Sequence, residues 1–419
     1  MNAHSVLGQV TLGYSPLVNR QRQVVATRLT VFPTRPDRVP DMQALLHVIS
    51  EVWPATADDG AAAAVPSADA APGGSRWPLA LNIVGEGPLQ AALAQPLPLH
   101  FMLEVPAFMA ADAGHATGLR ALHAAGNVLL IKGRPLAPLG DAMRACFAHS
   151  IVEAQDDQRN AAAAAAAAGE AGARQLTTIQ AGVRNAADIE AAFGRGAVAV
   201  FGWPFGDAPV ASTGRRATPT DVGLIMELIS GIDRELPVAR LEDMLKRDPT
   251  LAFRLLRHLN SPAFGLSVEV TSLAHALMLL GPQRLKRWLA LLLASSSTHG
   301  QARPMLFAAL RRGLLLEALV SAADAAERSE LFICGIFSLL DRLLQQPMDS
   351  LLKSVPMPER VTQALCGQGG PYQPYLELAC AIEQESVLDV RACAERLFLG
   401  PAEVNRALLS ALSTARLLD

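Results

Sequence analysis

The chain changes its hydrophobic pattern near residue 209. Before that point, short apolar segments typical of strands alternate with amphipathic segments typical of helices, and after it the strand pattern almost disappears. Alternating strands and helices predict a mostly parallel sheet that can close into a TIM-type (β/α) barrel, whereas the second pattern predicts an all-helical domain. We therefore predict an α/β domain over residues 1–209 and an all-α domain over residues 210–419.

The composition limits the functions that such a chain can have. Hydrophobic residues make up 51% and charged residues 18% of the 419 residues, which is typical of a globular chain with a sizeable core. The longest apolar run that contains large side chains, residues 288–294, is far shorter than the roughly 20 residues that cross a bilayer. The net charge of −3 argues against bulk attraction to nucleic acid or anionic lipid. We expect a cytoplasmic chain with no membrane or nucleic-acid partner, since its first residues also lack a secretory pattern.

Two stretches of small and polar residues interrupt the first domain. They lie near residues 56–75 and 156–173, and the second contains an uninterrupted run of alanines. Neither stretch has an amphipathic face that could dock on a core. We predict that both are exposed insertions.

The helical domain contains helix-capping and helix-breaking residues in a specific order. Asp248 can cap a helix that begins at Pro249, and Gly281 can end the next helix. The spacing of these residues resembles that of the HDOD domain, a helical output module related to the HD phosphohydrolases. We expect seven of them to have a structural role before any binding role: Asp248, Pro249, Asn260, Ser261, Pro262, Gly265 and Gly281.

The same segment predicts the core of the helical domain. Asn260 is expected to bridge the turn that follows its helix, because a short amide can satisfy the backbone groups left free at a helix end. Leucines recur at helical spacing on both sides of that turn. We predict that these leucines face inward: Leu251, Leu255, Leu256, Leu259, Leu273, Leu277 and Leu280.

The helical domain lacks the motif that HD enzymes use for catalysis. Those enzymes hold a metal ion through a His-Asp dipeptide, and none of the nine histidines here is followed by Asp. The segment at the corresponding place, residues 335–339, reads GIFSL. We predict that this domain binds no metal and hydrolyses nothing.

Several strand-like segments of the first domain carry distinctive residues near their ends. RQVVATRLTVF contains Arg28, LALNIV contains Asn82, FMLEVP contains Glu104, NVLLIKGRP contains Lys132, and TIQAGVR contains Ala181 and Arg184. In order and spacing these segments resemble the EAL domain, the TIM-barrel phosphodiesterase of cyclic di-GMP breakdown, in a degenerate form as found fused to HDOD modules. The resemblance implies acidic residues at five of these six positions and an amide at the sixth, and only Asn82 and Glu104 are retained.

A two-metal phosphodiesterase needs several carboxylates to hold its ions and to activate water. Asn82 and Glu104 cannot do this beside cationic Arg28 and Lys132. We therefore predict no catalytic residues, no metal and no cofactor, and a bacterial signal-transduction or scaffold protein that acts through a protein partner. Two alternatives stay open: a cyclic di-GMP receptor that does not hydrolyse its ligand, and, with less support, an active phosphodiesterase.

The charges of the helical domain are unevenly distributed along its sequence. Residues 234–312 hold 12 Lys or Arg and 5 Asp or Glu, whereas residues 313–419 hold 8 and 14. Basic residues three apart project from one side of a helix. We predict that five basic residues bind an acidic segment of a protein partner, the other interpretation being a solvated basic face: Arg254, Arg257, Arg284, Lys286 and Arg287. Neither the identity of the partner nor the oligomeric state follows from the sequence.

Overall fold

The computed structural model divides the chain into two compact units. The first unit comprises Met1–Asp207 together with Ala381–Arg391 and Gly400–Asn405, and the second comprises the remaining residues. The predicted domain boundary and both predicted insertions fall outside the described residues and stay predictions. The structure describes residues 6–35, 37–54, 79–133, 139–154, 176–203, 222–260, 269–295, 303–320, 322, 324–344, 346–353 and 357–418.

The first unit is a closed barrel of eight strands that follow one another in sequence order. Strand β1 runs antiparallel to β2 and β8, and the other neighbours are parallel. The predicted fold class, a TIM-type barrel followed by a helical domain, is confirmed. The strands are β1 (Val10–Asn19), β2 (Val24–Pro33), β3 (Leu79–Ile83), β4 (Phe101–Pro106), β5 (Val128–Lys132), β6 (Phe147–Glu153), β7 (Thr177–Val183) and β8 (Ala199–Gly202).

The helices of the first unit begin at local capping residues. Asp41 accepts a hydrogen bond from the N–H of Ala44, and Asn185 accepts one from the N–H of Asp188. These helices are α1 (Met42–Val52), α2 (Glu86–Leu93), α3 (Ala107–Ala111), α4 (Ala113–Ala124), α5 (Asp141–Arg144) and α6 (Ala186–Gly194).

Alternation along the strands fills the barrel in layers. Successive side chains of a strand point to opposite faces, so every second residue points into the barrel. An apolar cluster comes from such positions on all eight strands: Leu17, Ala26, Ala80, Met102, Leu130, Ile151, Ile179, Ala181, Ala199 and Phe201. Two residues further along β2, β3, β4 and β5, the same faces carry Arg28, Asn82, Glu104 and Lys132. The barrel therefore has an apolar layer followed, toward the carboxyl ends of its parallel strands, by a polar layer.

The remaining described elements are helices. The last three of them contribute residues to both compact units. None of the helices in the described ranges is long and apolar enough to cross a membrane. The helices are α7 (Val222–Asp233), α8 (Val238–Leu245), α9 (Pro249–Leu259), α10 (Leu273–Ser295), α11 (Arg303–Leu319), α12 (Ala325–Phe337), α13 (Leu340–Leu344), α14 (Met348–Leu352), α15 (Glu359–Leu365), α16 (Gln373–Glu383), α17 (Val387–Arg396) and α18 (Pro401–Leu418).

The cap of α9 forms as the sequence predicts. Oδ1 of Asp248 accepts hydrogen bonds from the N–H groups of Thr250 and Leu251, at 2.8 and 3.1 Å, and from the Thr250 hydroxyl at 2.6 Å. Burial raises the pKa of Asp248, and these hydrogen bonds act in the opposite direction. Gly281 has a φ of 69° and interrupts α10 immediately before Pro282. All seven leucines predicted as core are buried: Leu251, Leu255, Leu256, Leu259, Leu273, Leu277 and Leu280.

Asn260 joins the end of α9 to the start of the segment that leads into α10. Its amide nitrogen donates to the carbonyls of Leu256 at 2.9 Å and Val270 at 2.8 Å, and its oxygen accepts from the N–H of Val270 at 2.9 Å. The side chain therefore bridges the end of α9 and Val270. Ser261, Pro262 and Gly265 lie outside the described residues.

Replacing Asn260 with alanine is expected to lower the free energy of unfolding by about 1–3 kcal/mol, because both backbone groups of buried Val270 lose their side-chain partner. Chemical unfolding followed by circular dichroism measures this loss. His258→Ala on the exposed side of the same helix is the control and should change stability by less. Equal stability of Asn260→Ala and the wild-type chain would contradict a structural role for the bridge.

Candidate functional site

An ion pair lies inside the barrel at the positions that the EAL resemblance assigns to catalytic carboxylates. Nε and one Nη of Arg28 donate to the two carboxylate oxygens of Glu104 at 2.6 and 2.7 Å. The residues are 6% and 1% exposed, and they come from β2 and β4, which are separated by β3. The pair can therefore form only across the barrel interior, and its two parallel hydrogen bonds fix both side chains.

The environment keeps Arg28 charged. Burial alone disfavours the cation, but the neighbouring carboxylates of Glu104, Glu385 and Glu153 outweigh it and raise the pKa of Arg28 above its ordinary value. The guanidinium also lies 5.1 Å from the centroid of the Phe201 ring. Arg28 is thus a permanent cation inside the barrel.

A second cation extends this polar layer toward β5. Nζ of Lys132 donates to the amide oxygen of Asn82 at 3.4 Å, and the amide nitrogen of Asn82 donates to the Thr30 hydroxyl at 3.2 Å. Strand pairing places Thr30 directly beside Asn82. Asn82 is thereby held between a cation and a hydroxyl, with its oxygen turned toward Lys132.

Four of the six residues that carry the EAL resemblance come together, and two do not. Arg28, Asn82, Glu104 and Lys132 form the polar layer, whereas Ala181 lies in the apolar cluster. Arg184 follows the end of β7 and is exposed, and its backbone N–H donates to Asp188.

These residues do not fit a pair of divalent cations. Mg²⁺ and Ca²⁺ are bound by several oxygen ligands, most often carboxylates. Both oxygens of Glu104 already accept hydrogen bonds from Arg28, and the oxygen of Asn82 faces Lys132. Within the described ranges, no group of three or more His, Cys, Asp or Glu side chains is placed to hold a metal ion.

Two further acidic residues of this unit, Glu383 and Glu385, are missed by the sequence analysis. The Thr30 hydroxyl donates to Glu385 at 2.9 Å, and an Nη of Arg28 lies 4.0 Å from the same carboxylate oxygen. The Tyr14 hydroxyl donates to the carboxylate of Glu383 at 3.3 Å. Their only sequence signal is an acidic Glu-Gln-Glu triplet, which is also the pattern of a solvated turn.

In the helical unit, an arginine is hydrogen-bonded to the serine that the resemblance places at a catalytic motif. Ser338 stands where HD enzymes carry the His-Asp dipeptide. An Nη of buried Arg312 donates to the Ser338 hydroxyl at 3.0 Å, and that hydroxyl donates to the carbonyl of Gly335 at 2.7 Å. Burial raises the pKa of the neighbouring Cys334 to about 12, so its thiol is not a nucleophile at neutral pH.

The five basic residues predicted to bind a partner differ in exposure. Arg257 and Arg284 are exposed, whereas Arg254 and Lys286 are half-buried. The Arg257 guanidinium lies 5.6 Å from the centroid of its neighbour's ring, that of Phe253. The side chain of Arg287 lies outside the described residues, and the partner-binding role of all five stays a prediction.

The fold combines an eight-stranded barrel of EAL type with a helical unit. The HDOD domain family matches residues 218–346, so the chain contains the HDOD domain that the sequence predicts. The match ends before α14, and the last 73 residues lie beyond it.

Two curated proteins and a solved structure are similar to parts of the chain. Uncharacterized protein YuxH of Bacillus subtilis (strain 168) is 30% identical over 164 residues, which are 38% of this chain and 40% of that protein. Cyclic di-GMP phosphodiesterase CdgJ of Vibrio cholerae is 28% identical over 151 residues, which are 36% of this chain and 35% of that protein. The response regulator MmoQ of Methylococcus capsulatus has 21% identity and a TM-score of 0.37, and the match covers 46% of this chain and 98% of that one. The chain thus spans about two fifths or less of the curated relatives that it matches.

Proposed function

We propose that the chain is a signalling protein that does not hydrolyse cyclic di-GMP and that acts by binding another protein. The observation that carries this proposal is the buried ion pair between Arg28 and Glu104. A retained glutamate would normally favour catalysis in such a barrel. Here its charge is neutralised by a guanidinium that no accessible pH deprotonates.

The two cations oppose metal-dependent chemistry in the barrel. Phosphodiester hydrolysis of this class relies on metal ions to activate water and to stabilise the leaving oxygen. Arg28 and Lys132 occupy the polar layer in which such ions would need anionic ligands. A divalent cation there would meet like charge, while only Glu104 and Asn82 remain as retained ligands.

The helical unit supports the same conclusion from its own residues. Ser338 replaces the metal-binding dipeptide of HD enzymes and is hydrogen-bonded to Arg312. A hydroxyl held by a cation is a poor ligand for a second cation. The HDOD domain is therefore left with a binding role, which is the role that its resemblance to an output module implies.

A turnover assay tests the absence of catalysis. We expect the full chain to release no linear product from cyclic di-GMP in saturating Mg²⁺ or Mn²⁺, because its polar layer lacks a carboxylate set. Vibrio cholerae CdgJ, a relative described as a cyclic di-GMP phosphodiesterase, is the positive control under the same conditions. Metal-dependent turnover that disappears in a Glu104→Gln variant would overturn the proposal.

Calorimetric titration with cyclic di-GMP separates the two non-catalytic functions. No binding heat at micromolar concentrations is the result expected of a protein-binding module. Stoichiometric binding without turnover would instead make the barrel a nucleotide receptor, and loss of that binding in a Lys132→Ala variant would locate it in the polar layer.

A further inference from the structure

The segment Ala381–Arg391 belongs to the barrel unit although it lies almost 180 residues beyond the last strand. It comprises the end of α16, the turn that follows and the first half of α17, and it has the sequence AIEQESVLDVR. Two of its glutamates, separated by one residue, make hydrogen bonds to side chains of β1, β2 and the residue that follows β8. The barrel therefore holds this segment as it would hold a bound peptide.

The first glutamate is recognised through both its side chain and its backbone. The Tyr14 hydroxyl donates to the carboxylate of Glu383 at 3.3 Å, and the indole N–H of Trp203 donates to the Glu383 carbonyl at 2.8 Å. The two aromatic rings meet edge to face with their centroids 5.3 Å apart. Glu383 is buried. Aromatic side chains with a polar group at one end are well suited to hold a peptide in this way.

The second glutamate reaches the polar layer of the barrel. Its carboxylate accepts a hydrogen bond from Thr30 at 2.9 Å and lies 4.0 Å from Arg28. Thr30 in turn accepts from Asn82, so Glu385 is joined to the hydrogen-bonded chain that ends at Lys132. Glu385 has a φ of 56°, a left-handed conformation that is uncommon for a residue with a side chain. Only this backbone turn and these contacts place its carboxylate at the carboxyl end of the barrel.

A glycine on β1 makes room for the segment. A Cβ atom added to Gly13 would lie 3.0 Å from Cγ of Glu385 and 3.1 Å from the carbonyl oxygen of Ile382. Gly13 lies opposite Thr30 in the strand register, and no positive φ requires a glycine there. The close approach of the segment is therefore the reason that this position favours glycine.

A neighbouring contact involves the first half of β1 and the C-terminal part of the chain. Strand β1 pairs with β8 only through Leu17–Asn19. Nearer its start, the Asn405 amide oxygen accepts from the N–H of Leu12 at 3.0 Å, and its nitrogen donates to the carbonyls of Leu7 and Val10 at 2.8 Å. These three hydrogen bonds involve neither of the two glutamates, so we expect them to remain when the glutamates are substituted.

We propose that the carboxyl end of the barrel is a binding site for an acidic peptide with two glutamates separated by one residue, and that Glu383 and Glu385 occupy it in cis. The proposal rests on the proposed function, because it identifies the protein-binding site of a barrel without catalysis. A partner that presents the same pair of carboxylates competes with the chain's own segment. Desolvation offsets much of what a buried carboxylate gains from its partners, so the exchange of one such segment for another is energetically feasible.

The test uses a fluorescein-labelled peptide of residues 381–391 and the full chain. A Glu383→Ala/Glu385→Ala variant, called the opened variant, weakens the binding of residues 381–391 to the barrel. It keeps the side chains that would bind the peptide: Tyr14, Arg28, Thr30 and Trp203. We expect this variant to bind the peptide at least tenfold more tightly than the wild-type chain does, with binding that weakens as salt increases. A peptide with glutamine at both glutamate positions should bind neither protein.

Two further variants control for the site and for charge. Adding Gly13→Val to the opened variant should abolish peptide binding, because the valine side chain fills the space of the peptide. A Glu86→Gln/Glu190→Gln chain removes two exposed carboxylates of the same unit and should behave as the wild type. Circular dichroism confirms that each variant is folded.

Hydrogen exchange gives a readout that needs no substitution. Excess unlabelled peptide added to the wild-type chain should increase amide exchange in residues 381–391, since the displaced segment becomes accessible to solvent. Equal affinity for the glutamate and glutamine peptides, or no binding to a folded opened variant, would overturn the proposal. Either result leaves the turnover assay unaffected, so failure of this site and failure of the proposed function are distinguishable.

Discussion

Replacing Glu104 with leucine is expected to lower the free energy of unfolding by about 3–5 kcal/mol, one of the two largest effects that we predict. The substitution introduces an apolar side chain of similar volume. It leaves the Arg28 cation buried without its bidentate partner. Removing one member of a buried ion pair has this cost because the remaining charge is desolvated and uncompensated. Urea unfolding of the full chain, with hydrogen exchange in β2 and β4 to localise the loss, measures the effect.

The double variant Arg28→Met/Glu104→Leu distinguishes a charge effect from a packing effect. It removes both charges, so its stability should return to within about 1 kcal/mol of the wild-type chain or exceed it. Glu190→Ala is the matched control, because Glu190 pairs with Arg22 at the surface of the same unit and is 68% exposed in its side chain. Such pairs contribute at most about 1 kcal/mol. A Glu104→Leu variant as stable as Glu190→Ala would show that the interior pair is not formed in solution.

The polar layer shows what strand alternation can and cannot predict. The period of two places Arg28, Asn82, Glu104 and Lys132 on interior faces, so their proximity follows from the sequence once the barrel is assumed. The pairing of Arg28 with Glu104 does not follow, because alternation does not say which interior side chains contact one another. The sequence indicates that Arg28 is an obstacle to catalysis, and the structure shows that it is also the hydrogen-bond partner of Glu104. Arg184 falls outside the layer because β7 ends one residue earlier.

The contact of residues 381–391 with the barrel strands could not be predicted from any local sequence pattern. Glu385 and Thr30 are 355 residues apart in sequence. No periodicity connects them, and a Glu-Gln-Glu triplet between two helices is typical of a solvated turn. By contrast, the caps of α1, α6 and α9 depend on residues within a few positions of each helix start, and sequence patterns of that range are informative.

In each unit an arginine contacts a residue at which the family resemblance implies a catalytic group. Arg28 lies where the barrel resemblance implies a carboxylate, and Arg312 holds the serine that replaces a His-Asp dipeptide. A guanidinium brings several donors and a permanent charge, so it can satisfy acceptors that a metal ion would otherwise meet. In both units, therefore, the residue at the position in question is hydrogen-bonded to an arginine: Glu104 to Arg28 and Ser338 to Arg312.

The second large effect concerns a close contact between two helices of the helical unit. A Cβ atom added to Gly335 on α12 would lie 2.6 Å from both the backbone nitrogen and the Cα of Gly313 on α11, and 2.7 Å from the carbonyl carbon of Arg312. These are backbone atoms, so no side-chain rotation relieves the clash. Gly335→Ala is therefore expected to separate the two helices and to destabilise the unit by about 3 kcal/mol, the upper end of what overpacking costs in a core.

Thermal unfolding and hydrogen exchange in α11 and α12 test this expectation. Gly194→Ala is the matched control, because a Cβ atom at that helical glycine meets nothing within 4 Å, and alanine there should leave stability unchanged or slightly raise it. Gly335→Ala should also increase exchange near Ser338, since the shift of Arg312 breaks the hydrogen bond between them. If Gly335→Ala unfolds at the wild-type temperature and exchange in α11 is unchanged, the two helices do not approach each other this closely in solution, and Ser338 is not held by Arg312.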